Sequence, residues 1–149
     1  MYRRMILAAL VVEMSCFLAQ AADSPSATAP ATQAALKAIR YQRTGGFAGT
    51  NDVIEITPDG AVAVQGKLMG KGKGQLTAEQ IAKLLPVFAD WPAAAKSYPA
   101  PAGSADGFEI KIRYGTVEIG GSELAANLPA DFKAARAALE QIAQVFKGK

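Results

Sequence analysis

An alternating heptapeptide carries the clearest structural signal in the chain: Phe108-Glu109-Ile110-Lys111-Ile112-Arg113-Tyr114. Large apolar side chains occupy every second position, and charged side chains occupy the positions between them. Because successive side chains of a strand point to opposite faces, this pattern predicts a strand with one buried face and one face in water. Gly115 follows as a turn residue, and residues 116–119 return as a partner strand. The heptapeptide therefore predicts an antiparallel sheet.

Three further strands are predicted upstream of this hairpin. They cover residues 36–43, 52–57 and 61–65, and Pro58-Asp59-Gly60 is a turn signal between the last two. Residues 66–74 are rich in glycine and lysine, and we expect them to form a solvated flexible loop. Residues 97–103 are expected to form a proline-rich coil.

Two helices are predicted from capping and periodicity. Thr77, with Gln80 three residues later, matches a capping box, and the apolar run that follows should kink or break at Pro86. Residues 131–146 form the second helix, whose apolar stripe is Phe132, Ala135, Leu139, Ile142 and Phe146. The element order βββαββα predicts an α+β fold: an antiparallel sheet of about five strands with both helices packed on one face.

The first 21 residues are typical of a cleaved export signal. Arg3 and Arg4 precede an apolar run over residues 5–18, and Ala19-Gln20-Ala21 is a small-x-small cleavage site. A retained N-terminal anchor and a lipid anchor at Cys16 are the alternatives. Export predicts a periplasmic or secreted protein, in which residues 22–35 are a disordered Ala/Ser/Pro linker and residues 36–149 are a single α+β domain.

The composition argues against catalysis. The chain has no histidine, and its one cysteine, Cys16, lies in the export signal, so Ser–His, Cys–His and zinc-hydrolase mechanisms are excluded. The acids of the strand region are expected on exposed faces or turns, where they cannot form a paired-carboxylate site; they are Asp52, Glu55, Asp106, Glu109 and Glu118. We therefore predict a protein that is not an enzyme and that has no metal site and no cofactor.

The net charge and the arrangement of the lysines indicate which partners to expect. The formal net charge is +3, and the lysines near residue 70 are interleaved with glycine and lack stacking aromatics, so nucleic acid is not an expected partner. Once the export signal is removed, no membrane contact is expected. The free protein is expected to be a monomer.

One glycine-rich segment stands apart: Arg43-Thr44-Gly45-Gly46-Phe47-Ala48-Gly49. It places one bulky apolar side chain, Phe47, among three glycines between two strands. It is either a hairpin connection with Phe47 folded back onto the core, or a recognition loop whose backbone enters a narrow cleft while Phe47 fills a pocket. An anion cradle is disfavoured, because it needs a helix start after the glycines and a strand follows instead.

The same segment resembles the opening motif of the emfourin family of protealysin inhibitors. The similarity continues in Leu76-Thr77-Ala78-Glu79-Gln80, in the coil before residues 105–110 and in the last amphipathic helix, so it spans about residues 39–146. The chain differs from that family in its export signal and in the long connection over residues 66–74.

The resemblance implies an inhibitor of thermolysin-like, protealysin-type zinc metalloproteases. It implies that the segment from Arg43 to Gly49 binds the cleft of the protease and that Phe47 occupies the pocket that accepts a bulky apolar residue after the scissile bond. The zinc then belongs to the target. A non-enzymatic periplasmic module that binds a peptide or protein by edge-strand pairing is the alternative.

Overall fold

Seven strands form one mixed sheet in the computed structural model, which describes residues 35–104 and 106–149. The strands are β1 (Ile39–Gly45), β2 (Thr50–Ile56), β3 (Ala61–Gly66), β4 (Gly70–Gln75), β5 (Lys96–Tyr98), β6 (Phe108–Tyr114) and β7 (Val117–Ser122). Their order across the sheet is β4-β3-β2-β1-β6-β7-β5. All neighbours are antiparallel except β5 and β7, which are parallel. The predicted export signal, residues 1–21, and the predicted linker through residue 34 lie outside the described residues.

Two α-helices accompany the sheet in the part of the chain that the structure describes. α1 (Ala78–Leu84) begins after Thr77, whose hydroxyl accepts the Gln80 N–H at 3.2 Å while the Gln80 side chain accepts the Thr77 N–H at 2.8 Å. The predicted capping box is thus confirmed. Of the kink or break predicted at Pro86, the structure shows the break, because the α-helix ends at Leu84 and Leu85–Phe88 continues as a 3₁₀ turn. α2 spans Ala130–Phe146. Neither described helix has the length and apolar composition needed to cross a bilayer.

The core lies between the helices and one face of the sheet. Ile110 and Ile112 of β6 are fully buried while Lys111 and Arg113 between them are exposed, as the alternation predicts. The sheet contributes Tyr41, Ile54, Ile56 and Ile119 beside them, and α2 contributes Phe132, Ala135, Leu139, Ala143 and Phe146. Ala143, and not the predicted Ile142, occupies the innermost position in the last turns of α2.

The α+β class is confirmed, but the prediction of an antiparallel sheet of about five strands is wrong. Residues expected to be loop form β4, and part of the expected proline-rich coil lies in β5. The parallel pairing of β5 with β7 makes the sheet mixed. β5 is only three residues long, which is too short for an alternating pattern to reveal it.

β4 could not be predicted as a strand because of its composition, Gly70-Lys71-Gly72-Lys73-Gly74-Gln75. A Cβ atom at Gly72 would overlap the carbonyl oxygen of Phe146, and one at Gly74 would overlap the Phe146 ring. Glycine on this face therefore lets the end of α2 lie directly on the strand. The segment does alternate with period two, but its inward residues have no side chain and give no hydrophobic signal.

Candidate functional site

A four-residue turn, residues 46–49, joins β1 to β2 and carries the predicted site. The Gly49 N–H donates to the Gly46 carbonyl oxygen at 3.1 Å, which closes the turn. Gly45, Gly46 and Gly49 have φ values of 108°, 66° and 60°, a backbone region that residues with a Cβ rarely adopt. Phe47 stands at the apex with 97% of its surface exposed, so its ring does not fold back onto the core.

The base of this turn rests on the start of β6. The Gly46 N–H donates to the Gly107 carbonyl oxygen at 3.3 Å, and a Cβ on Gly46 would come within 2.8 Å of the Phe108 ring. The Arg43 guanidinium stacks on the same Phe108 ring, 4.2 Å from its centroid. The turn is therefore supported from below by an aromatic ring and a hydrogen bond, while Phe47 projects away from both.

Thr44 and Ala48 complete the predicted segment, and both have plain backbone roles. Thr44 lies in the β1 register opposite Asn51 of β2 and opposite Glu109 of β6. Ala48 is exposed, and its carbonyl oxygen accepts a hydrogen bond from Lys67 Nζ at 3.2 Å. The structure thus brings all seven residues, from Arg43 to Gly49, into the end of one hairpin.

Asp52 corrects the expectation that the acids of the strand region are all exposed, because it is completely buried. Its position in β2 has the same parity as Ile54 and Ile56, which face the core. Its Oδ1 accepts the N–H groups of Leu68 and Met69 at 2.9 and 3.3 Å, and its Oδ2 lies 3.8 Å from Arg43 Nε. Asp52 therefore joins the ends of two hairpins.

Of the other acids, Glu55, Asp106 and Glu109 are exposed as expected, and Glu118 is partly exposed. Glu55 forms an exposed ion pair with Arg40, and Glu118 pairs with Arg113 at 2.9 Å. Among residues 35–104 and 106–149, no three acidic, cysteine or histidine side chains come close enough together to hold a metal ion.

A polar cluster beneath the turn connects β1 to α2. The Tyr41 hydroxyl donates to Glu140 at 2.8 Å, and Glu140 also contacts Arg136 at 3.0 Å and Arg43 at 3.6 Å. Two causes raise the pKa of Tyr41 above its usual value: burial has the larger effect, and the Glu140 carboxylate adds to it. Burial lowers the pKa of Arg136, but Glu140, together with Tyr41 and Glu123, outweighs it, so the net change is upward. The cluster fixes β1 just below the glycines.

Three of the four exposed large hydrophobic side chains among the described residues lie in loops at the same end of the sheet. Phe47, Leu68 and Leu124 are 97%, 46% and 43% exposed. Leu68 belongs to the β3–β4 turn beside the first turn, and Leu124 would contact a Cβ on Gly107 at 2.7 Å. We call this region the loop end of the sheet; it comprises residues 45–50, 66–70, 107–108 and 122–124. The fourth exposed residue, Val145, lies on α2 beside α1.

A wide groove lies away from these turns. A groove of about 900 Å³ lies between α1 and the residues before β1, lined mainly by Leu36, Ile81, Leu85, Pro86 and Phe88. Its polar side chains are those of Lys37 and Tyr114, which do not suggest a reaction.

Sequence reasoning missed Phe108, Lys67 and Leu68 as parts of the loop end, and it missed Asp52 as the buried acid that supports it. For Asp52 the signal was its spacing of two and four residues from Ile54 and Ile56. For Lys67 and Leu68 no signal was visible, because β4 had not been predicted and the turn before it was therefore unknown.

Comparisons with known proteins add no family to this picture. No protein-family model matches the chain, and no curated protein matches it. The resemblance to emfourin thus stays a prediction.

Proposed function

We propose that this protein inhibits thermolysin-like zinc metalloproteases by placing the β1–β2 turn in the active-site cleft, with Phe47 in the pocket that receives the residue after the scissile bond. The observation that carries the proposal is the 97% exposure of Phe47 at the apex of a closed glycine turn. The exposed Phe47 ring adds nothing to the core, and an aromatic side chain held on a fixed backbone is the kind of residue that anchors protein interfaces.

The turn is suited to inhibition because it is preorganised. Its closing hydrogen bond, the Phe108 ring under Gly46 and the Arg43 contacts all hold the backbone before any partner arrives. A binding segment that is already ordered loses less conformational entropy on association than a free peptide does. The chain has no histidine, so we propose no catalytic role, and the zinc is that of the target protease.

One phenylalanine does not account for tight binding. Burying its side chain supplies about 1.5–3 kcal/mol, whereas nanomolar affinity corresponds to about −12 kcal/mol. Further contacts must come from neighbouring surface, and the loop end provides exposed apolar groups on both sides of the turn.

The edge-strand alternative has less support in the described residues. The outer edge of β4 is occupied in part, because Gly148 N–H donates to Lys71 O at 3.0 Å and Lys73 N–H donates to Lys149 O at 3.3 Å. The opposite edge strand, β5, offers only three residues for pairing. Neither edge presents the long, free ladder that strand addition uses.

The proposal is tested by titrating the purified protein into a thermolysin-like protease while following hydrolysis of a small peptide substrate. We expect stoichiometric loss of activity that Phe47→Ala relieves. Val145→Ala is the matched control, because Val145 is also an exposed apolar residue but lies on α2. Full protease activity at a large molar excess, against several such enzymes, would contradict the proposal.

A further inference from the structure

The β3–β4 turn is physically tied to the turn that carries Phe47. Lys67 Nζ donates to the Ala48 carbonyl oxygen at 3.2 Å, so the two turns touch. Asp52, two residues into β2 from Thr50, accepts the N–H groups of Leu68 and Met69. The β3–β4 turn is thus anchored by the side chain of Asp52, which belongs to β2, the strand that follows the turn carrying Phe47.

This anchor leaves little freedom to the second turn. Asp52 is fully buried, and a Cβ on Gly66 would overlap its carboxylate, so the acid lies directly against the backbone at the end of the neighbouring strand β3. Met69 is buried on the inner side of the turn, while Leu68 beside it is 46% exposed. The backbone of Leu68 is therefore held by the core, and its side chain faces outward. That is the same arrangement as at Phe47.

The exposed charged side chains in and next to the two turns are all positive. Residues 45–51 and 66–74 contain no carboxylate, and Asp52, which follows the first stretch, is buried away from solvent. Lys67 and Lys71 are both exposed. An apolar pair of apices beside exposed lysines is complementary to a cleft with apolar depressions and an acidic rim.

We propose that the β3–β4 turn is a second contact element of the inhibitory surface, in which Leu68 enters an apolar depression next to the pocket filled by Phe47 and Lys67 faces acidic groups on the rim of the protease cleft. This inference rests on the proposed function and extends it. It assigns the remaining affinity to a named turn, and it defines the partner surface as two adjacent apolar sites bordered by negative charge.

The apolar part is tested by inhibition constants for the parent, Leu68→Ala, Leu68→Gln, Phe47→Ala and Val145→Ala. We expect each Leu68 variant to raise the inhibition constant about 10-fold, since a half-exposed leucine still has part of its surface to bury. Val145→Ala should change it by less than about twofold, because that side chain lies outside the loop end. Circular dichroism melting establishes that the variants compared are folded.

The charged part is tested by the dependence of the association rate on ionic strength. Salt should slow association of the parent with the protease, and Lys67→Gln should weaken this dependence. Lys37→Gln makes the same charge change before β1, at the opposite end of that strand, and should leave the dependence unchanged. An equal salt dependence for the parent and Lys67→Gln would overturn the role of Lys67.

The outcomes separate this inference from the function on which it rests. If the parent inhibits, Phe47→Ala weakens inhibition and both Leu68 variants inhibit like the parent, the second contact is overturned and the proposed function stands. An equal loss in Val145→Ala and Leu68→Ala would also overturn it, because the effect would not be specific to the loop end. If the parent inhibits none of several proteases tested, both proposals fall.

Discussion

Arg43 and Asp52 face each other across the β1–β2 pair, with Arg43 Nε 3.8 Å from Asp52 Oδ2; Asp52 is fully buried and Arg43 is largely so. Neither of these two atoms has a hydrogen-bond partner among the described residues. Asp52 is nevertheless held through its other oxygen by two backbone N–H groups, and Arg43 is held by the Phe108 ring. The pair therefore connects the strand before the glycine turn to the acid that anchors the second turn.

Removing the Asp52 carboxylate should destabilise the fold strongly. Asp52→Ala leaves Arg43 without its cross-strand partner and leaves two buried N–H groups without an acceptor. We expect the free energy of unfolding to fall by about 3–5 kcal/mol in equilibrium urea unfolding. Glu55→Ala removes an exposed partner of Arg40 and should change it by no more than about 1 kcal/mol. A loss below about 1 kcal/mol for Asp52→Ala would contradict the role of the pair.

Tyr41 should make the free energy of unfolding depend on pH in the alkaline range. Burial and Glu140 raise its pKa in the folded state, while the unfolded chain has the usual value of about 10. Above that pH the unfolded state loses the phenol proton and the folded state keeps it, so the free energy of unfolding should fall by about 1.4 kcal/mol per pH unit from this group.

Tyr41→Phe isolates that contribution. At neutral pH the variant should be less stable by about 1.5–3 kcal/mol, because the hydrogen bond to the Glu140 carboxylate is lost. Above about pH 10 the difference from the parent should shrink, since the phenyl ring of the variant cannot titrate. Arg43 and Arg136, the other charged groups around the hydroxyl, are common to both proteins. Urea unfolding from about pH 8 to about pH 11 measures the difference, and a constant value across that range would refute the prediction.

Two glycines of the first turn permit a matched comparison. Gly46 and Gly49 both have positive φ, but a Cβ on Gly46 would meet the Phe108 ring at 2.8 Å, whereas one on Gly49 would meet nothing within 4 Å. Gly49→Ala should therefore lower the free energy of unfolding by only the backbone term, about 1–2 kcal/mol. Gly46→Ala should lose about 1–3 kcal/mol more through overpacking. Thermal unfolding of the two variants checks this order, and equal losses would show that Phe108 does not support the turn.

The sequence revealed the parts of this fold whose signal is local. The strand over Phe108–Tyr114 alternates in side-chain character, and the Thr77–Gln80 capping box is complete within four residues. The glycine turn could also be located, because three glycines around one phenylalanine require an unusual backbone. Whether Phe47 packed inward or outward could not be decided locally, since it depends on what lies beneath the turn.

The missed features depend on tertiary packing. Asp52 is inward because β2 continues the parity of Ile54 and Ile56, and Arg43 on the neighbouring strand makes its burial tolerable. The second turn could not be predicted, because β4 shows glycine where other strands show apolar side chains. Only the approach of α2 explains why those positions are empty of side chains.

That explanation yields a direct test on β4. A Cβ at Gly72 would overlap the Phe146 carbonyl oxygen, so Gly72→Ala must push the end of α2 away from the strand. We expect a loss of about 1–3 kcal/mol in the free energy of unfolding. Gly120→Ala, in β7, is the control: its Cβ would have no neighbour closer than 3.8 Å and its φ is not positive, so it should be neutral or stabilising by up to about 1 kcal/mol. If urea unfolding gives equal stabilities for the two variants, close packing is not the reason for glycine in β4, and the segment owes its strand to pairing with β3 alone.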